Sequence, residues 1–380
     1  MDSKKYNNTK LAIGIGKAIV SFVLLYLFID LGFSLSLQNY IQSFTENSYL
    51  VFLMFVFTLG IASSILFLPV NIYTGFYLEH KYNLSNQTFF KYFLENLKSM
   101  LVGLVIGVPI LLLFFYVLNK FDDLWWLVFA SAMFLISVVL SQIFPIVIMP
   151  IFYKVSPLQD EELKSRISNL AKGAGIKVQN VFTFDMSKNT KKANAAFTGL
   201  GKTKRIILGD TLLKDYSKDE IETVIAHELG HYKHKHIVKN IVFGTVSSFL
   251  TFFVISILYK NSLSWFDFEY ITQIAALPLL SLWAMVIGLI QSPIGNILSR
   301  KYEYEADRYA IETTRKPESF INTLNRLTNQ NLGDREPHPF IEWFFYSHPS
   351  IKNRVKAIQD FVQSNNIVEV IKDKTAEAVI

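Results

Sequence analysis

From Leu101 to Leu118 the chain carries no charged residue. Five other stretches are nearly as apolar, giving runs at about 11–36, 49–77, 99–118, 124–152, 237–259 and 271–297. As a helix, each is long enough to cross the roughly 30 Å of hydrocarbon in a bilayer at about 1.5 Å per residue. A helix buried in a soluble core keeps some polar residues on its rim, and the Leu101–Leu118 run has no charge to put there. The first run is too long for a secretory leader, and no small-residue cleavage site clearly follows it. With 51% hydrophobic residues and 33 Phe, the composition fits an integral membrane protein of about six spans.

The connections alternate in charge. Lys4, Lys5 and Lys10 precede the first span, Lys81, Lys91 and Lys98 follow the second, Lys154, Lys164 and Arg166 follow the fourth, and Arg300 and Lys301 follow the sixth. The intervening connections carry Glu46, then Asp122 and Asp123 beside Lys120, then Asp267 and Glu269 beside Lys260. The positive-inside rule therefore predicts cytosolic termini and cytosolic polar blocks. The net charge of +6 reflects this bias and calls for no nucleic-acid partner. The chain has no cysteine, which excludes disulfides, thiolate metal ligands and a thiol nucleophile.

The expected organisation is spans one to four over 1–152, a polar block over 153–236, a hairpin of spans over 237–297, and a second polar block over 298–380. The first block reads as a helix (Gln159–Ala174), strands near Val178–Phe184, Ala193–Thr198 and Arg205–Leu208, and a helix over about 217–236. The second reads as helical with a turn-rich insertion at Asn329–Pro339. The fold class is mainly α: a polytopic bundle with a polar domain holding a small sheet.

That domain contains His227-Glu228-Leu229-Gly230-His231. Histidines at i and i+4 project from one helix face and can grip one metal ion. Glu228 is positioned to take a proton from water activated by that metal. The bland alternative is an amphipathic helix with histidines at its polar edge. Ile221, Val224, Ile225 and Leu229 supply the apolar stripe of such a helix, and Ser217 with Glu220 a capping box at its start. Seventy-two residues on, Glu303 and Asp307 share a helix face while Glu305 points away. Glu303 is the expected third ligand. Asp307 is expected to accept a hydrogen bond from a ligating histidine, the alternative being a surface pair with Arg308 or Arg315. His234 and His236 do not fit a three-histidine pattern and read as solvated. With imidazole and carboxylate ligands only, the expected cofactor is one Zn²⁺ per chain.

The chain resembles the type 1 CAAX prenyl proteases, integral-membrane zinc endopeptidases. The resemblance rests on the metal pentapeptide, on Ser299-Arg-Lys-Tyr-Glu-Tyr-Glu-Ala-Asp307, and on Asn194-Ala-Ala-Phe-Thr-Gly199 with Arg205-Ile-Ile-Leu. Ser347-His348-Pro349 with Arg354, and Phe76-Tyr-Leu-Glu79 through Tyr82 to Thr88, complete it. It implies a gluzincin-type catalytic domain facing the cytosol and closing a ring of helices around a water-filled chamber. The substrate would be a peptide or protein, prenylated or not, with membrane lipid as the other partner. Under the same resemblance Asn194 and Ala195 belong to an edge strand that takes up an extended substrate. His348 would donate to the oxyanion, and Arg354 would position His348 or the substrate. His338 reads as a loop residue and Phe340–Tyr346 as membrane-interface packing.

The chain departs from eukaryotic members in its shorter length, in six spans rather than seven, and in a tail without a basic retrieval signal. These departures suit a prokaryotic relative, which would sit in the cell membrane; a eukaryotic one would sit in the endoplasmic reticulum. A general protease for damaged membrane proteins, with no prenyl requirement, is the alternative function. A transporter or scaffold with a structural metal leaves Glu228 without a purpose and lacks buried charges in its spans.

Overall fold

Every backbone N–H and C=O inside a bilayer must find its partner within the protein, and a helix satisfies that demand locally. The computed structural model describes residues 2–175, 181–198 and 205–367. Among these, six helices are long and apolar enough to cross a membrane: Asp2–Asp30, Ser48–Lys81, Phe89–Lys120, Asp122–Phe152, His236–Phe266 and Ile274–Thr314. Two compact units contain them. One comprises residues 6–140 and 240–292, the other residues 1–5, 141–239 and 293–380.

The first helix ends earlier than its apolar run predicts. Gly32 adopts a left-handed φ of 73°, and a separate short helix, Phe33–Gln42, follows. Glycine accepts that conformation without a Cβ clash, so the chain turns there although hydropathy continues. The second and fourth spans each contain a π turn, at Tyr73–Tyr77 and Phe144–Ile148. Pro69 lies one turn before the first and Pro145 within the second. A proline takes one N–H out of the ladder, and a wider turn absorbs the break.

Aromatic side chains fill the core of the membrane unit. Phe52 stacks on Phe115 with centroids 4.5 Å apart, beside the buried Trp125 and Phe129. Lys10 pairs with Glu79 at 2.9 Å, and Tyr6 also donates to that carboxylate. Lys260 pairs with Asp123 at 2.6 Å, tying two of the connections that read as extracytosolic. The outward faces are apolar: Val105 is 75% exposed and Ile65 66%. Surfaces of that kind are at home in lipid.

The polar unit is built on a mixed sheet of order β1-β2-β4-β3, with β1 at Val155–Pro157, β2 at Val181–Phe184, β3 at Ala195–Thr198 and β4 at Arg205–Gly209. β4 runs parallel to β2 and antiparallel to β3, and β1 is antiparallel to β2. Ile206, Ile207 and Leu208 are all buried, which suits a strand covered on both faces. Ile206 and Leu208 join a core with Leu163, Ile167, Ile221, Ile225 and Phe320. The three-residue β1 is too short for alternation to reveal. Val178, the expected start of β2, and Gly199 lie outside the described residues, as does the C-terminal tail.

The expected helix at 159–174 forms over Glu161–Gly173, its first turn capped by Asp160 Oδ1 accepting from Leu163 N at 2.9 Å. In the second block, helices follow at Pro317–Gln330, Pro339–Phe345 and Ile351–Ser364. His338 caps the second of these by accepting from Phe340 N, a loop role as expected.

Candidate metal centre

The helix that carries both histidines runs Lys218–Lys233 and opens on the predicted capping box. Ser217 Oγ accepts from Glu220 N at 3.3 Å, and Glu220 Oε2 accepts from Ser217 N at 2.8 Å. Arg326 closes on the Glu220 carboxylate from the Pro317–Gln330 helix, at 2.6 and 2.7 Å. The opposite wall is one unbroken helix, Pro278–Thr314, which continues past the sixth apolar run to carry Glu303 and Asp307. The two helices approach closely at Gly230, where a Cβ would stand 2.9 Å from the Cα of Ala306.

That approach brings three ligand atoms together. His227 Nε2 and His231 Nε2 are 3.2 Å apart, and Glu303 lies 3.5 Å from the first and 3.3 Å from the second. A tetrahedral ion with bonds of about 2.0–2.1 Å spaces its ligands by roughly 3.3 Å. Glu303 is buried, and among the described residues no donor meets its Oε2 with hydrogen-bond geometry. Among the described residues this is the one group of histidines and carboxylates with metal-ligand spacing. Burial disfavours a charged imidazole at His227, but Asp307 and Glu303 outweigh it and hold its pKa up to about 10. Two imidazoles and a buried carboxylate at this spacing form a donor set that fits a metal ion.

Behind the triangle, Asp307 Oδ1 lies 2.9 Å from His227 Nδ1, the predicted neighbour, although the angle departs from that of a hydrogen bond. Its charge partner is Arg354, not Arg308 or Arg315. The guanidinium forks onto Asp307 at 2.9 and 2.5 Å and reaches within 3.5 Å of Glu303 Oε2. Burial works against the Arg354 charge, but Asp307, Glu303 and Glu228 overcome it and raise its pKa further above the usual arginine value. Arg354 thus holds the carboxylate behind His227.

His348 stays 66% exposed, with Nδ1 3.0 Å from Glu303 Oε2. Its loop is held by Arg300, which donates to the carbonyls of Glu342 and Tyr346 at 2.9 and 2.6 Å, and by Asn296, which donates to Phe344 O at 2.7 Å. Neither contact was visible in the sequence, because a bond to a backbone carbonyl leaves no motif. Glu228 is half-buried on the metal helix. Asn194 is exposed just before β3, an edge strand with Ala195 as its first residue. β3 lies beside the metal helix, Phe197 meeting Tyr232 at 5.3 Å between ring centroids.

One expectation fails. His234 is exposed as predicted, but His236 is buried, with only 1% of its surface accessible. The metal helix stops at Lys233, Lys235 takes a left-handed φ of 57°, and a new helix starts at His236. A helical wheel extended through 236 points this side chain the wrong way.

Residues 157–362 match the model of peptidase family M48. The chain belongs to this family. Residues 1–154 match a second family model, described as the N-terminal region of CAAX prenyl proteases with five membrane helices. Among the described residues this stretch has four helices long enough to span, and the ten-residue Phe33–Gln42 is too short to be a fifth. CAAX prenyl protease 1 of Saccharomyces cerevisiae is 33% identical over 82% of this chain and 72% of its own. An uncharacterized metalloprotease of Bacillus subtilis, YhfN, is 30% identical over 93% of this chain and 84% of its own. The crystal structure of S. mikatae Ste24p superposes with a TM-score of 0.84 at 28% identity, covering 94% of this chain and 88% of that one. This M48 chain is a membrane metalloprotease.

Proposed function

We propose that this metalloprotease is a zinc endopeptidase that works from the cytosolic side of the membrane and cuts near the C-terminus of membrane-held peptides, prenylated ones among them. The observation that carries the reading is the His227–His231–Glu303 triangle with Glu228 on the same helix. Two imidazoles, a carboxylate and no thiolate suit a catalytic zinc with one open position. When bound, the ion supplies the Lewis acidity that activates water and polarises the scissile carbonyl. Glu228 takes the proton of the attacking water and delivers it to the leaving amine. His348 donates to the oxyanion, while Asp307, fixed by Arg354, holds His227. An extended substrate adds to the β3 edge, gripped at Asn194 and Ala195.

The lysine-rich connections support cytosolic termini and a cytosolic site. On this reading the catalytic domain comprises 153–236 and 298–380, separated by the 237–297 hairpin and preceded by the spans of 1–152. Support for a prenylated substrate comes from the yeast relative, named a CAAX prenyl protease. The test is cleavage of a quenched fluorescent peptide, farnesylated or unmodified, by the protein in liposomes, with metal content measured on the same preparation. Preference for the farnesylated peptide is expected, with about one zinc per chain. Equal cleavage of both peptides would overturn the prenyl preference and make this a general membrane protease.

A further inference from the structure

His236 enters none of the roles above, yet it is among the most buried polar residues of the polar unit. Its Nδ1 is 3.0 Å from His231 Nδ1, and its Nε2 is 2.9 Å from Glu305 Oε2. Only one proton arrangement satisfies every contact. A metal at His231 Nε2 requires that nitrogen to be bare, so His231 carries its proton on Nδ1 and donates it to His236 Nδ1. His236 is then protonated on Nε2 and donates to the Glu305 carboxylate. The ring lies flat on Tyr302, with centroids 4.1 Å apart and planes 11° from parallel. The left-handed turn at Lys235 starts a new helix at this residue. A non-glycine residue in that conformation persists where the surroundings fix it.

The geometry points to His236 and Glu305 as positioning residues for the metal ligand His231, a carboxylate–imidazole relay separate from the contact between Asp307 and His227. The inference rests on the proposed metal site, and it deepens that reading. The two ligating histidines are thereby oriented by different devices on one helix: Asp307 backs His227 directly, and Glu305 backs His231 through His236. Lys239 and Lys301 approach Glu305 at 3.8 and 4.0 Å and help hold its carboxylate in place. Orienting partners of this kind typically contribute roughly ten- to a hundredfold in metal affinity.

The experiment measures zinc affinity of the full-length protein in detergent by competition with a fluorescent zinc chelator, independently of turnover. His236→Phe keeps the flat ring over Tyr302 and removes the acceptor. His236→Asn places an oxygen near the position of Nδ1. The expected result is a roughly ten- to a hundredfold weaker affinity in His236→Phe, substantial recovery in His236→Asn, and an intermediate loss in Glu305→Ala, all with the metal-free melting temperature of wild type. Wild-type affinity in His236→Phe would overturn the relay. So would equal losses in the Phe and Asn variants with lowered metal-free melting temperatures, which would mark His236 as packing alone. Failure of wild type itself to bind zinc would instead strike the metal site on which the relay depends.

Discussion

Gly230 backs directly onto Ala306: a Cβ at 230 would lie 2.9 Å from the Ala306 Cα and 3.1 Å from its carbonyl oxygen. This contact sets how closely the histidine helix and the Glu303 helix approach. It therefore sets the ligand spacing too. Gly230→Ala must push backbone against backbone, since no flexible side chain is there to yield. Overpacking typically costs about 1–3 kcal/mol. The expected outcome is a lowered melting temperature together with weakened zinc binding, read by chelator competition. Normal affinity in a stably folded Gly230→Ala would show that the helices are held apart by other contacts.

Arg354 and Asp307 form the buried pair behind His227. Removing the guanidinium leaves a carboxylate buried without its partner, a loss of about 3–5 kcal/mol in comparable sites. Arg354→Ala is expected to melt well below wild type, and the double change Arg354→Ala/Asp307→Asn to recover part of that stability. Urea or thermal unfolding of the three proteins decides it. No recovery in the double variant would mean that Arg354 contributes packing and not charge.

His348 differs from the ligands in being mostly exposed, so its loss should spare the fold and the metal. His348→Ala is expected to lower kcat by about 10²–10³ with unchanged zinc content, the usual consequence of losing one oxyanion donor. Glu303→Ala is expected to lose the metal itself. Zinc loss in His348→Ala would make His348 a ligand-shell residue instead.

Glu220 links the metal helix to acid stability. Burial pushes its pKa up, but the Ser217 backbone N–H and Arg326 outweigh this and hold it below the usual glutamate value. A carboxyl depressed in the folded state adds stability above its unfolded pKa of about 4.3, and that contribution is lost as pH falls through the lower folded value. Glu220→Gln should therefore melt below wild type at neutral pH, with the gap closing below about pH 4. A gap independent of pH would place the effect in shape and not charge.

The spans were legible because lipid tolerates only apolar, internally bonded segments, so Leu101–Leu118 allows one reading. The histidine pair was legible because helical periodicity alone puts residues 227 and 231 on one face. Asp307 was found by the same spacing, but its partner Arg354 was not, since that contact joins helices 47 positions apart. His236 was misread for a related reason. Its position depends on the helix ending at Lys233 and on the left-handed Lys235, and no apolar period marks a break between two polar residues. Gly32 broke the first apolar run where hydropathy gave no warning.

The central claim is that Glu228 performs the proton transfers of peptide hydrolysis at a site built by His227, His231 and Glu303. Glu228→Gln keeps the size of the side chain and removes its basicity. The decisive measurement is single-turnover cleavage of a farnesylated quenched peptide by wild type and Glu228→Gln in liposomes, with zinc content determined on both. The account predicts equal zinc in the two proteins and loss of cleavage by at least about 10²-fold in the variant. Cleavage at the wild-type rate by zinc-loaded Glu228→Gln would contradict it.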